Sequence, residues 1–266
     1  MSTVGDQAEV RLADAPRPRH LLAEFGFTFH PADGELHGSG AITPAMHAPG
    51  TGRVRPSVLA SWADMIGGML TIGLITPRVP VTLDLDLHLY RPAPGSGRAR
   101  AVGRAVKRGR SVTVIEVEFL DDGGAGFGFS GMTFMAAPGV SRPFSPRGAI
   151  FDQPEREPTL ALPLADRAGC QRERPGTAVL PRTEDGLNGA GTMHGGLLAL
   201  AVEEAVLSLA PGETLSSLAL RYLAPVRVGP AVARATLEGG LGRVEVRDSG
   251  REDRLAVTAS ARLTSR

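Results

Sequence analysis

The two halves of this chain keep one set of spacings, so whatever fold the chain adopts has to be built twice. In the first half Arg55 opens a run rich in helix formers, Asp64 follows nine residues later, Pro92 ends an alternating stretch, and Gly109-Arg110 lies 17 residues beyond it. In the second half His194, Glu203, Pro225 and Gly242-Arg243 repeat both offsets. The one length difference is six residues between helix and strand, around Ile72 to Val79, where a loop absorbs an insertion easily. A length of 266 residues suits one large domain or two ordinary ones, and the repeat selects two.

Each copy reads as a lead-in strand, one apolar helix and four strands. The helices are expected at Val54 to about Gly73 and His194 to about Leu209. The segment Val81 to Leu89 alternates apolar with polar residues, as a strand with one covered face does, and Ser111 to Leu120 does the same. The second half answers with Leu215–Leu223, Ala231–Leu237, Arg243–Asp248 and Leu255–Leu263. Turn signals at Pro94-Gly95-Ser96-Gly97, Arg108-Gly109 and Asp121-Asp122-Gly123-Gly124 suit antiparallel hairpins. From Pro138 to Pro163 proline and charge dominate and periodicity stops, which marks a connector. The expected organisation is α+β, with domains at 1–138 and 164–266 and a proline-rich linker at 139–163. A helix that is apolar on nearly every side needs a curved sheet wrapped around it.

Composition narrows the function. Apolar residues make up 42% and charged residues 21%, enough for a packed core, and the formal charge of +1 leaves no global field for nucleic acid. The single cysteine, Cys170, excludes an intramolecular disulfide and fits a reducing compartment. The stretch Met1 to Pro18 lacks the apolar core of a secretory signal, and no uninterrupted apolar run approaches the roughly 20 residues of a membrane span. The expectation is a cytoplasmic protein without a membrane span.

The densest chemical signal is Asn188-Gly189-Ala190-Gly191-Thr192-Met193-His194-Gly195-Gly196, followed at once by an apolar helix carrying Glu203. Glycines at a helix start let a ligand approach the backbone, and the unpaired N–H groups there, with the helix dipole, suit a polarised carbonyl. Two glycines alone describe only a turn that starts a buried helix. Asn188 and His194 at fixed offsets add the polar groups that a site needs.

Asn188, then His194-Gly195-Gly196 six residues on, then an acid nine residues after the histidine, resembles the signature of hotdog-fold acyl-CoA thioesterases of the phenylacetate-degradation type. The strand endings Tyr90-Arg91-Pro92 and Leu223-Ala224-Pro225, each with a later Gly-Arg, are similar to the same family. The resemblance implies a double hotdog, in which each site takes its asparagine and glycine turn from one domain and its carboxylate from the helix of the other. Carried over by position, the first half has Asp64 but Arg55-Pro56-Ser57 in place of the turn and Pro49 in place of the asparagine. The second half keeps the turn and Asn188 but has Glu203 for the aspartate. One complete set remains: Asp64 facing Asn188, His194, Gly195 and Gly196. The family also places a small hydroxyl residue ten positions before the strand-ending proline; here that is Thr82, whereas the second half has Leu215.

The implied chemistry is hydrolysis of an acyl-CoA, with an acyl carrier protein thioester also open, and no further cofactor or metal. Asp64 would activate water or attack the thioester itself, and the Gly195 or Gly196 amide would hold the oxyanion. Asn188 would orient water or substrate, Thr82 would hold the water, and His194 would meet the leaving group or brace the turn. Glu203 and Arg55 would form an inactive pseudo-site, paired as ions. Trp62, Met65 and Met69 are expected in the core, with Trp62 close enough to Asp64 to line an acyl pocket. Arg110, with Arg104, Lys107 and Arg108, is a candidate for the CoA phosphates. His30, His37 and His47 lack the spacing of a metal site. Two competing readings are a non-catalytic acyl-CoA or lipid-binding protein and an enoyl-CoA hydratase, whose Gly-Asp-x-Asn-Pro-x-His pattern is absent. One chain already equals a family dimer, so a homodimer is the expected assembly.

Overall fold

The computed structural model describes residues 20–137 and 156–264. The Met1–Pro18 stretch and residues 138–155 of the expected connector lie outside them. Among the described residues each repeat contributes six strands and one long helix. The first holds β1 (Thr28–Ala32), β2 (Glu35–Ala41), α1 (Pro56–Ile75), β3 (Pro80–Leu89), β4 (Arg98–Arg108), β5 (Val112–Leu120) and β6 (Gly126–Ala136). A short helix α2 (Leu164–Arg167) precedes the second repeat. That repeat runs β7 (Gln171–Arg174), β8 (Thr177–Leu180), α3 (Gly195–Leu207), β9 (Leu215–Tyr222), β10 (Ala231–Glu238), β11 (Leu241–Asp248) and β12 (Arg254–Leu263). The lead-in to each helix is therefore a two-stranded hairpin where one strand was expected. Its outer strands are short, with little alternation to betray them: β7 is Gln171-Arg172-Glu173-Arg174, exposed throughout.

All strands join one antiparallel sheet in the order β1-β2-β4-β5-β6-β3-β9-β12-β11-β10-β8-β7. Read from its centre, the sheet is the same succession of equivalent strands in both directions. The halves meet where β3 pairs β9, with Leu85 opposite Leu220, Asp86 opposite Ala219 and Leu87 opposite Leu218. Asp86 and Ala219 each stand six residues before their strand-ending proline. The pseudo-twofold axis therefore passes through that pair. The architecture is the double hotdog.

Burial explains why both helices are apolar all round. Twelve of the thirteen residues of α3, from Gly196 to Leu207, are buried. By length and apolar composition α1 qualifies as a membrane-spanning helix, yet most of it is buried within the fold, which accounts for that composition. The α1 and α3 helices also touch each other. Their closest approach needs Gly196, since a Cβ there would lie 2.5 Å from Ser61 Cα.

The end of the connector is not a free spacer. Thr159 and Leu160 donate their backbone N–H groups to the Glu24 carbonyl, and Leu160 joins the core. The Arg167 guanidinium reaches both Glu24, at 2.6 Å, and Asp185, at 2.8 Å. The segment Leu21–Phe25 is thereby fastened to the second repeat.

Candidate active site

Asp64 sits in the middle of α1 and is 8% exposed. Its Oδ1 accepts a hydrogen bond of 2.9 Å from Thr82 Oγ1 on β3, and its Oδ2 lies 3.4 Å from His194 Nδ1 at the start of α3. The 194–196 corner reaches this carboxylate because the two helices cross there. A Cβ on Gly195 would stand 2.8 Å from Asp64 Oδ2 and 3.0 Å from the Tyr222 hydroxyl, so no larger residue fits.

The protonation states follow from these neighbours. Burial pushes the Asp64 carboxyl up to about 6, against the opposing pull of hydrogen bonds from Thr82 and the Gly196 amide. Burial also brings His194 down to about 4, so its imidazole is neutral at pH 7. His194 caps α3 by accepting the Gly196 N–H on Nδ1 at 3.1 Å, which leaves the proton on Nε2. The Gly196 N–H is thus engaged by its own cap and by Asp64. The Gly195 N–H, the first of α3, has no partner among the described residues.

A cavity of about 330 Å³ opens onto this group, at the lower end of the roughly 300–1,000 Å³ typical of small-molecule sites. Asp64, Thr82, Asn188, His194 and Gly195 all border it. Along α1 its wall is Asp64, Met65, Gly68, Met69 and Ile72, and Phe134 of β6 also lines it. Asn188 borders the cavity with its amide largely committed. Its Oδ1 accepts from the Ala190 and Thr192 amides at 2.9 and 3.2 Å, and its Nδ2 donates to Thr192 Oγ1 at 2.9 Å.

One expectation changes. Trp62 does not border the cavity: it is fully buried and stacks on Phe27 with ring centres 4.1 Å apart. Two residues on a helix are about 200° apart, so a side chain at 62 points away from the one at 64. Met65 and Met69 pack on the core as expected, and both also line the cavity. Arg110, the candidate for the CoA phosphates, is exposed at the β4–β5 turn. Register places that turn near the cavity rim, because Val112 pairs with Met135 and Met135 with Val81, one position from the rim residues Pro80 and Thr82. Arg78, Lys107, Arg108 and Arg110 are all exposed and have no carboxylate partner among the described residues, while Arg104 is paired with Glu116 at 2.6 Å.

Other residues of the site had not been anticipated. His20, Leu22 and Ala23 close one side of the cavity, and the His20 ring meets His194 edge-on at 5.3 Å. They precede the repeat, where no spacing pointed to them. Tyr222 packs beside Gly195. Its signal was present in the repeat itself, since Leu89 stands at the equivalent place three residues before the proline.

At the pseudo-symmetric position the same corner is plugged. Arg55 occupies the place of His194, is fully buried, and donates through Nε to Glu203 Oε2 at 2.8 Å and through Nη2 to Glu204. Ser57, in the place of Gly196, gives Glu203 both its amide and its hydroxyl. Burial works against charge here, but Glu203 and Glu204 outweigh it and keep Arg55 firmly protonated. Burial likewise opposes charge on Glu204, and Arg55 with Arg172 holds its pKa below the usual range.

Residues 52–126, from the approach to α1 to the start of β6, match the family model of the thioesterase superfamily. That segment, the body of the first repeat, is similar to the thioesterase superfamily. No curated protein sequence matches the chain. Among solved structures, the 12:0-ACP thioesterase of Umbellularia californica superposes with a TM-score of 0.65 at 12% identity, over 90% of this chain and 100% of the other. An acyl-ACP thioesterase of Bacteroides thetaiotaomicron does so with a TM-score of 0.62 at 13% identity, over 87% and 98%. At such identities these matches speak for the fold alone, which both repeats of this chain share with them. The family match and the thioesterase folds point to a thioester hydrolase.

Proposed function

We propose that the chain hydrolyses acyl-CoA at a single site, with Asp64 from the first repeat and the His194–Gly196 corner from the second acting on one thioester. The observation that carries this reading is the buried Asp64 carboxylate, bonded to Thr82 and 3.4 Å from His194, at the mouth of an apolar cavity. A carboxyl raised to about 6 is mostly ionised at pH 7 yet basic enough to take a proton from water. Thr82, its proton committed to Asp64, keeps lone pairs to receive that water.

In the proposed reaction, hydroxide formed from water adds to the acyl carbon as Asp64 takes the proton. The Gly195 N–H, the free amide at the head of α3, stabilises the oxyanion, a contribution of about 3 kcal/mol for one well-placed donor. The C–S bond then breaks, and Asp64 returns its proton to the thiolate. His194, neutral and protonated on Nε2, braces the corner and offers a donor to the leaving group. The acyl chain lies along Met65, Gly68, Met69 and Ile72. The exposed cations Arg78, Lys107, Arg108 and Arg110 near the rim suit the phosphates of coenzyme A.

Asp64→Asn should lower kcat on acyl-CoA at least 10³-fold while a non-hydrolysable acyl-CoA analogue still binds. Wild-type protein that releases no thiol from any acyl-CoA or acyl carrier protein thioester would end this reading. The two solved neighbours named as ACP thioesterases motivate the second carrier. A kcat/KM higher on acyl-ACP than on the matching acyl-CoA would move the assignment to it.

A further inference from the structure

The Gly195–Gly196 peptide is held from both sides. Its N–H faces His194 Nδ1 and Asp64, as described above, and its carbonyl accepts a hydrogen bond of 3.1 Å from the Tyr222 hydroxyl on β9. Tyr222 is packed so closely that a Cβ on Gly195 would come within 3.0 Å of its oxygen. Burial, followed by the nearby Asp64 charge, raises the Tyr222 phenol well above its ordinary range, so it is a permanent donor.

A hydrogen bond to a peptide carbonyl polarises the whole amide and makes its N–H a better donor. It also fixes the plane of that amide. The chain carries two tyrosines, and the other, Tyr90, is exposed on the first repeat. The repeat supplies an independent observation. Three residues before Pro225 stands Tyr222, and three before Pro92 stands Leu89. The donor is kept in the half that has the His194-Gly195-Gly196 corner and is missing from the half where Arg55-Pro56-Ser57 replaced it.

We infer that Tyr222 is a positioning residue for thioester hydrolysis, clamping the Gly195–Gly196 peptide so that its N–H supports the Asp64 carboxylate and the adjacent Gly195 N–H keeps its aim. This inference rests on the hydrolase reading for its catalytic consequence, but the clamp itself is a property of the resting protein. The ionisable groups around Asp64 are His194 from α3, Tyr222 from β9 and, behind His194, His20.

The test is Tyr222→Phe, with Tyr90→Phe as the control. In protein labelled with carbon-13 at the aspartate carboxyls, the titration of Asp64 should move to higher pH in Tyr222→Phe and stay in place in Tyr90→Phe, because a weaker Gly196 donor holds the anion less well. On a hydrolysed acyl-CoA, kcat should fall about tenfold in Tyr222→Phe, with KM within twofold and the acid limb displaced upward alongside the titration. A purely structural role would lower the melting temperature and leave the Asp64 titration unmoved, and that result overturns the clamp. The carboxyl titration needs no substrate. A shifted titration in a protein without thioesterase activity therefore upholds the clamp and removes only the hydrolase reading, whereas an unmoved titration in an active enzyme does the reverse.

Discussion

Asp64 carries a conflict between stability and use. Its folded-state pKa, raised to about 6, exceeds that of an unfolded aspartate, so the native state binds the proton more tightly. The sign follows: ionising Asp64 costs stability above pH 6, and the cost disappears as pH falls below about 4. Asp64→Asn should therefore raise stability at pH 8, by on the order of 2 kcal/mol, while abolishing turnover, as calorimetry beside a kinetic assay would show. The pH profile of kcat/KM should carry one acid limb near pH 6. With His194 at about 4, no histidine inflection is expected between pH 5 and 8, and a second limb there would place a different base in the site. The Arg55 cluster makes the opposite forecast. Arg55→Met leaves Glu203 and Glu204 facing each other without their shared cation, a loss of about 3–5 kcal/mol in chemical denaturation. Glu203→Gln, which leaves the Arg55 to Glu204 contact in place, should keep turnover within a few-fold of wild type.

Among the elements, α1 carries both the chemistry and the acyl wall. Asp64, Gly68 and Ile72 recur every four residues and so form one stripe down the helix toward the far end of the cavity. A Cβ on Gly68 would meet no atom within 4 Å, so a larger side chain there enters the cavity without displacing the core. Gly68→Leu should retain hydrolysis of short acyl-CoA and lose most activity on long chains, with stability unchanged or higher by up to about 1 kcal/mol from the better helix former. Equal loss across a chain-length series would mean that the acyl group lies elsewhere. The α3 helix contributes through its first turn alone. The rest of it is buried filler whose Glu203 and Glu204 are absorbed by Arg55 and Arg172.

For the whole molecule, the pseudo-twofold axis through the β3–β9 pair creates two equivalent corners, one open and one closed by a buried arginine. A non-hydrolysable acyl-CoA should accordingly titrate at one equivalent per chain in calorimetry, and two equivalents would show that the Arg55 corner opens. The repeat, the α+β class and the group Asp64, Thr82 and His194–Gly196 were legible in the chain, because offsets between anchors and the periodicities of helix and strand are one-dimensional records of burial. Comparing the halves even showed which corner had lost its glycines. Other features arise only when distant segments are brought side by side. Nothing local in His20-Leu21-Leu22-Ala23 announces that this stretch, bolted down through Glu24 and Arg167, walls the cavity. Trp62 turns wholly into the core while Met65 also reaches the cavity, because helix rotation, rather than nearness in the chain, selects which side chains face a site. The second hairpin strand of each lead-in was invisible because a strand of four or five residues is held by its partner's backbone and needs no alternating pattern of its own.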